Sequence, residues 1–109
     1  MAKAVANEKA GPRTATKTVP YDVAEQLRTP EEMAAYLDAW LAEAPEDAAG
    51  IARALGDIAR AKGMSQVARD AGLSRESLYK ALGENGNPSF ATVLKVARAL
   101  GVRFHAAPV

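Results

Sequence analysis

Apolar side chains recur at helical spacing in several segments of the chain, which are separated by capping residues, glycines and prolines. The first segment opens with Thr29, Pro30 and Glu32, which supply an N-cap, a first helical residue and the second half of a capping box. These signals predict a helix from residue 30 to about residue 44. Its apolar stripe consists of Met33, Leu37, Trp40, Leu41 and Ala44, with Tyr36 at the edge.

A second helix is predicted from about residue 46 to residue 62, and Gly63 is its C-terminal stop. Gly50 and Gly56 lie inside this segment and weaken its intrinsic helix propensity. The helical period nevertheless holds through it. The apolar positions that carry the period are Ile51, Leu55 and Ile58.

Two shorter helices are predicted next, each with its own boundary signal. The first covers residues 64–71 and stops at Gly72, and the second covers residues 75–82 behind an N-cap at Ser74. Residues 83–88 are rich in Gly and Asn and predict a loop.

The last predicted helix begins after the cap Ser89 and stops at Gly101. Residues 102–106 then alternate apolar and polar side chains, which predicts a short C-terminal strand or an extended tail. The helix positions expected to face inward are Phe90, Val93, Leu94, Ala97 and Leu100.

The N-terminal part of the chain has a different character. Residues 1–19 show no period and predict a disordered basic tail, and Tyr21-Asp22 opens a short helical turn that reaches about Arg28. We therefore divide the chain into the tail, an acidic helical segment at residues 20–45 and a helical domain at residues 46–109.

Composition narrows the function classes. With 109 residues the chain is long enough for one small domain and a tail. It has no cysteine and one histidine, which argues against a disulfide framework, a metal centre and a Ser-His-Asp relay. No apolar run approaches a membrane span, and residues 1–20 lack the apolar core of a signal peptide. We expect a cytoplasmic protein that is not an enzyme, needs no cofactor or metal, and does not enter a membrane.

The net charge of +1 hides three blocks of opposite sign. Residues 1–20 carry four basic and one acidic side chain, giving +3, and residues 21–47 carry one basic and eight acidic side chains, giving −7. Residues 48–109 carry nine basic and four acidic side chains, giving +5. Blocks of this kind indicate two surfaces with two different partners.

Residues 64–82 have the spacing of a helix-turn-helix, which binds the DNA major groove. Ala68 is small enough for two helices to cross closely, Gly72 permits a left-handed turn, and Val67, Leu73 and Leu78 are apolar contacts between the helices. The second helix presents a polar outer face. The residues predicted to contact bases or the groove are Ser74, Arg75, Glu76, Ser77, Tyr79 and Lys80.

Residues 46–104 resemble the Xre/Cro-type (lambda repressor-like) DNA-binding domain, a five-helix bundle, and residues 20–107 resemble the HigA-type addiction-module antidote proteins. The most specific parts of the second resemblance are residues 73–82, which read Leu-Ser-Arg-Glu-Ser-Leu-Tyr-Lys-Ala-Leu, and residues 86–90, which read Gly-Asn-Pro-Ser-Phe. Further matching segments are 21–22, 35–37, 54–60, 63–69 and 72. The resemblance implies an all-α fold with the acidic helical segment ahead of the bundle.

The resemblance also implies a function. Family members are antitoxins that neutralise a small basic toxin of the RelE/HigB type and repress their own operon, typically as homodimers on double-stranded operator DNA. One departure concerns the Thr-Gln pair of the broader pattern, which would fall at Gly63-Met64, whereas Ser65-Gln66 lies two positions later. The residues assigned to phosphate contacts are Lys62, Ser65, Gln66, Asn87 and Ser89.

The acidic segment is the candidate surface for the toxin, because a cationic RNA-binding protein is attracted to negative charge. Its apolar stripe either anchors that toxin or packs on the helical domain of the same chain, and the sequence leaves both open. The residues assigned to toxin binding are Tyr21, Glu31, Glu32, Met33, Tyr36, Leu37, Trp40 and Leu41.

Two other functions remain open at this stage. One is a stand-alone Xre-family repressor without a toxin, which the neighbouring reading frame would distinguish from an antitoxin. The other is a protein-interaction module that no longer binds DNA, which the shifted Gln66 and the acidic Glu76 both favour.

Overall fold

The computed structural model describes residues 23–109, and the secondary structure of this part of the chain consists of helices, without a strand. The predicted contacts of Tyr21 and the predicted basic tail lie outside the described residues. Five α-helices follow a single 3-10 turn at Val23–Gln26. They are α1 (Pro30–Glu43), α2 (Ala48–Lys62), α3 (Met64–Ala71), α4 (Arg75–Leu82) and α5 (Phe90–Leu100).

The predicted capping box at the start of α1 is confirmed. The Thr29 hydroxyl accepts a hydrogen bond from the Glu32 backbone N–H at 3.1 Å, and the Glu32 carboxylate accepts from the Thr29 N–H at 3.0 Å. The same carboxylate accepts from the backbone N–H of Arg28 at 2.8 Å, and this bond is the main reason that the pKa of Glu32 is lowered. Pro30 occupies the first turn, where it removes a backbone donor that would have no helical partner.

Glycines end two helices in the left-handed conformation that the sequence predicts. Gly72 has φ 74° and Gly101 has φ 79°, a region in which other residues are strained. Past Gly72, the Leu73 N–H donates to the Ala68 carbonyl at 2.9 Å, so the chain turns sharply between α3 and α4.

The hydrophobic core lies between α2 and the helices around it, with Leu55, Ile58 and Val67 almost completely buried. Neither Gly50 nor Gly56 interrupts α2, and each lies where the helix meets a neighbour. A Cβ at Gly50 would collide with the Trp40 ring, and one at Gly56 would lie 3.0 Å from the Leu82 carbonyl oxygen.

A polar contact joins α1 to α2 beside this core. The Tyr36 hydroxyl donates to the Asp57 carboxylate at 2.6 Å, and the Arg60 guanidinium donates to the other oxygen of Asp57. Burial and the neighbouring carboxylate together raise the pKa of Tyr36. The phenol therefore stays protonated and holds the two helices together.

One expectation for α5 is wrong. Phe90 and Leu94 do not face inward, because α5 buries Val96, Ala97 and Leu100 and leaves the first two exposed. For residues 102–106 the sequence left a short strand or an extended tail open, and the structure has no strand there, which leaves the extended tail.

The helices of residues 23–109 are all too short or too polar to cross a membrane.

Candidate functional site

The exposed face of α4 carries mainly polar side chains. Ser74 caps it by accepting from the Ser77 N–H at 2.9 Å, while Leu78 and Leu82 are buried and fix its inner face on the core. Six side chains of this segment are therefore held on the surface by a well-packed helix. All of the predicted base or groove contacts are exposed, namely Ser74, Arg75, Glu76, Ser77, Tyr79 and Lys80.

Arg75 and Tyr79 form a pair on this face. The Arg75 guanidinium donates to the Tyr79 hydroxyl at 3.1 Å and lies 4.9 Å from the centre of the Tyr79 ring. The four-residue spacing places both on one side of the helix. Stacking on the ring restricts the arginine rotamers, so the guanidinium loses less conformational entropy when it binds an acceptor.

The beginning of α3 lies next to the predicted phosphate contacts. Gly63, with φ 114°, ends α2 and precedes α3 without a side-chain cap for the first N–H groups of α3. Lys62 and Ser65 flank this turn and are both exposed. A lysine and a hydroxyl beside uncapped backbone donors are suited to an anionic oxygen.

Gln66 is exposed but already hydrogen-bonded within α3. Its amide donates to both oxygens of Asp70, at 3.1 and 3.0 Å, and accepts from Arg69 at 3.0 Å. A phosphate contact by Gln66 would have to replace these bonds.

The two remaining phosphate candidates lie at the start of α5. Ser89 caps the helix by accepting from the Thr92 N–H at 3.1 Å, and Asn87 is exposed in the loop before it. Asn87 also lines an apolar groove between α2 and α5. This groove was not predicted from the sequence, because the apolar residues Phe90 and Leu94 that line it were expected to face inward.

The apolar stripe of the acidic segment lies inside the protein. Met33, Leu37 and Trp40 are buried against α2, and Leu41 and Tyr36 are half-buried. This placement favours the packing interpretation that the sequence left open. The exposed charge of α1 is carried by Glu31, Asp38 and Glu43, with Glu32 half-buried in the capping box.

Residues 23–109 contain no group of three or more His, Asp or Glu side chains that could hold a metal ion. His105 is exposed in the C-terminal segment.

These features describe a small helical protein with cationic side chains exposed around α3 and α4 and carboxylates exposed along α1. A family model described as "Probable addiction module antidote protein" matches residues 17–108, and the chain belongs to this family. An uncharacterized protein of Haemophilus influenzae is 57% identical over 84 residues, which cover 77% of this chain and 84% of that protein. No solved structure matches the chain. Membership in an antidote family implies a toxin partner of some kind.

Proposed function

We propose that the chain is the antitoxin of a type II toxin-antitoxin module, that it neutralises a RelE/HigB-like toxin, and that it represses its own operon. The observation that carries the DNA-binding part is the exposed outer face of α4, with Arg75 held against Tyr79. In this proposal α4 enters the major groove of operator DNA. α3, residues 62–66 and the start of α5 contact the phosphates.

Arg75 is the residue assigned to base recognition. A guanidinium can donate two parallel hydrogen bonds to guanine, and stacking on Tyr79 keeps it extended along the helix face. Ser77, Glu76 and Lys80 surround it on the exposed face of α4 and complete the contact surface. The protein acts as a homodimer, whose two α4 helices lie about 34 Å apart on a palindromic site.

Arg75→Ala tests this assignment. The variant should lose about 1–3 kcal/mol of binding free energy for the DNA upstream of the gene and discriminate less between sequences. Fluorescence anisotropy with labelled duplexes measures both. Arg103→Ala removes the same charge from the exposed C-terminal segment and serves as the control. Equal operator affinity in the two variants would remove Arg75 from the contact surface.

A salt titration separates this proposal from a protein-interaction module. Non-specific binding depends almost entirely on phosphate contacts and is lost steeply as salt rises. A specific complex with upstream DNA should persist at salt concentrations that release random DNA. Release of both duplexes at the same salt would favour a module whose α4 no longer reads DNA.

The toxin-binding part of the proposal rests on the carboxylates of α1. Glu31 and Asp38 are exposed and seven residues apart, so they share one side of the helix. Steering of a cationic toxin needs such charges on the surface, whereas the buried stripe is unavailable to it. The half-buried Leu41 follows Asp38 by three residues and lies beside this side of the helix, whereas the Tyr36 hydroxyl is bonded to Asp57 of α2.

Co-expression with the adjacent gene product tests this second part. Glu31→Lys and Asp38→Lys together should slow association with the toxin and weaken the complex, while operator binding is retained. Glu84→Lys reverses one charge in the exposed loop after α4 and is the control for each of the two substitutions made singly. If no basic protein is encoded beside the gene, a stand-alone repressor becomes the better assignment.

A further inference from the structure

Two apolar side chains on one turn of α5 lie on the surface. Phe90 is 72% exposed and Leu94 is 45% exposed, and their four-residue spacing places them on one face of the helix. Among residues 23–109, the other large apolar side chains with this degree of exposure are Tyr79 on α4 and Val109 at the chain end. A contiguous exposed apolar patch of this kind is typical of an interaction site.

An apolar groove of about 540 Å³ lies beside this pair. Its walls come from the end of α1, the first half of α2, α5 and the extended C-terminal segment. The apolar lining includes Leu41, Ile51, Leu55, Val93 and Phe104, together with Phe90 and Leu94 themselves. One face of the protein therefore carries both a projecting aromatic ring and a recess with apolar walls.

The charges around the groove also complement each other. Glu46 lines it, and Glu43 and Asp47 are exposed at the same corner between α1 and α2. On α5, Arg98 is exposed and follows Leu94 by four residues, so it lies on the same side of the helix. A two-fold axis that passes between the acidic corner and Arg98 places the acidic corner of one copy opposite Arg98 of the other.

We propose that this face binds a second copy of the chain, with Phe90 of each protomer seated in the groove of the other. A two-fold interface uses the same patch on both subunits, so a ring and a recess on one face satisfy it. The inference rests on the homodimer of the proposed function and assigns its surface. None of the six α4 residues assigned to DNA lines the groove, so dimerisation leaves them available. Asn87 does line the groove, so in the dimer it belongs to the interface and the phosphate contact at the start of α5 is assigned to Ser89 alone.

Site-specific cross-linking tests the seating of Phe90. Since the chain contains no cysteine, Phe90→Cys and Leu41→Cys each introduce a single thiol. Full-length chains of the two variants, mixed and mildly oxidised, should form a disulfide-linked heterodimer on a non-reducing gel. Ala35→Cys, at an exposed position of α1, replaces Leu41→Cys as the control and should not cross-link to Phe90→Cys.

Sedimentation analysis of the full chain without DNA or toxin gives an independent measure. Phe90→Asp and Leu94→Asp should each raise the dimer dissociation constant about tenfold or more, whereas Ala35→Asp should leave it within about twofold. Both side chains are exposed within the protomer, so neither substitution disturbs its core. Unchanged circular dichroism checks that each variant is folded.

Some outcomes would overturn the proposal. These are a monomeric wild-type chain, wild-type association in both α5 variants, or no cross-link above the Ala35→Cys control. A monomer that still binds operator DNA would reject this interface and leave DNA binding intact. A dimer that does not discriminate operator from random DNA would reject the repressor function and leave the interface intact.

Discussion

α1 and α5 are both amphipathic helices, both begin behind a hydroxyl cap and both carry apolar side chains at helical spacing. They differ in what covers the apolar face. Met33, Leu37 and Trp40 of α1 are buried against α2, whereas Phe90 and Leu94 of α5 lie on the surface beside a groove. Periodicity therefore predicts a helix and its apolar face. Whether that face is buried depends on residues elsewhere in the chain that pack against it.

The difference has a physical origin in the shape of α2. Gly50 allows the Trp40 ring to lie directly on the α2 backbone, so the two helices approach closely and the stripe of α1 is enclosed. α5 packs mainly on α3 and turns Val96 and Leu100 into the core. In its first turn Phe90 is 72% exposed within the described part of the chain.

Trp40→Ala should give the largest effect. Loss of a buried tryptophan removes its transfer free energy and leaves a cavity against Gly50, so the free energy of unfolding should fall by about 3–5 kcal/mol. Because Trp40 is the single tryptophan, urea unfolding is best followed by far-UV circular dichroism. Tyr79→Ala removes an exposed aromatic side chain and is the control. Equal losses in both variants would contradict the enclosed packing of α1.

Tyr36→Phe should have an intermediate effect of about 1–2 kcal/mol on unfolding, because it deletes the hydrogen bond to the half-buried Asp57. The loss should also depend on alkaline pH. The pKa of Tyr36 is raised in the folded state, so the phenol stabilises the fold below the ordinary tyrosine pKa of about 10 and loses this effect as pH rises further. Wild type and Tyr36→Phe should therefore converge in urea unfolding at high pH, and a constant gap between them would count against this contact.

Low pH should weaken the N-terminal cap of α1 but not that of α5, and this effect should be smaller than that of Tyr36→Phe. The pKa of Glu32 in the α1 cap is lowered, so its contribution is present above the ordinary glutamate pKa of about 4.3 and is lost as pH falls through the lowered value. The third residue of α5 is Thr92, which does not titrate. Hydrogen exchange, corrected for its intrinsic pH dependence, should show the first turn of α1 opening in acid while the first turn of α5 does not. Glu32→Gln should abolish the difference.

Phe90→Ala should have the smallest effect on the protomer, about 0.5 kcal/mol or less, because an exposed side chain contributes little to folding. The measurement needs a protein concentration low enough to keep the chain monomeric. A loss comparable with that of Trp40→Ala would mean that the first turn of α5 is part of the core, and the contrast between α1 and α5 would fail.

Much of the fold was predictable because its signals are local. Thr29, Ser74 and Ser89 cap the helices that the sequence assigned to them, and Gly72 and Gly101 end theirs in the left-handed conformation. Each of these signals acts within one turn of backbone. Neighbouring residues therefore determine where each helix begins and ends, and packing against distant residues changes these positions little.

The candidate site was only partly predictable. All six α4 residues assigned to DNA are exposed. Leu78 and Leu82 are four residues apart, and their burial determines which side of α4 faces the core. The hydrogen bonds between Gln66, Asp70 and Arg69 also follow helical spacing. The groove beside Phe90 did not follow from any local pattern, because its walls come from α1, α2, α5 and the C-terminal segment.

Local sequence is sufficient to predict the helices, their caps, the polar face of α4 and the separation of charge into acidic and basic blocks. Each of these depends on residues within a few positions of one another. Three features depend on tertiary packing. The apolar stripe of α1 is buried, the Tyr36 hydroxyl is hydrogen-bonded to Asp57, and Phe90 is exposed. Burial depends on how closely distant helices approach, and at α1 that distance is set by Gly50 under the Trp40 ring.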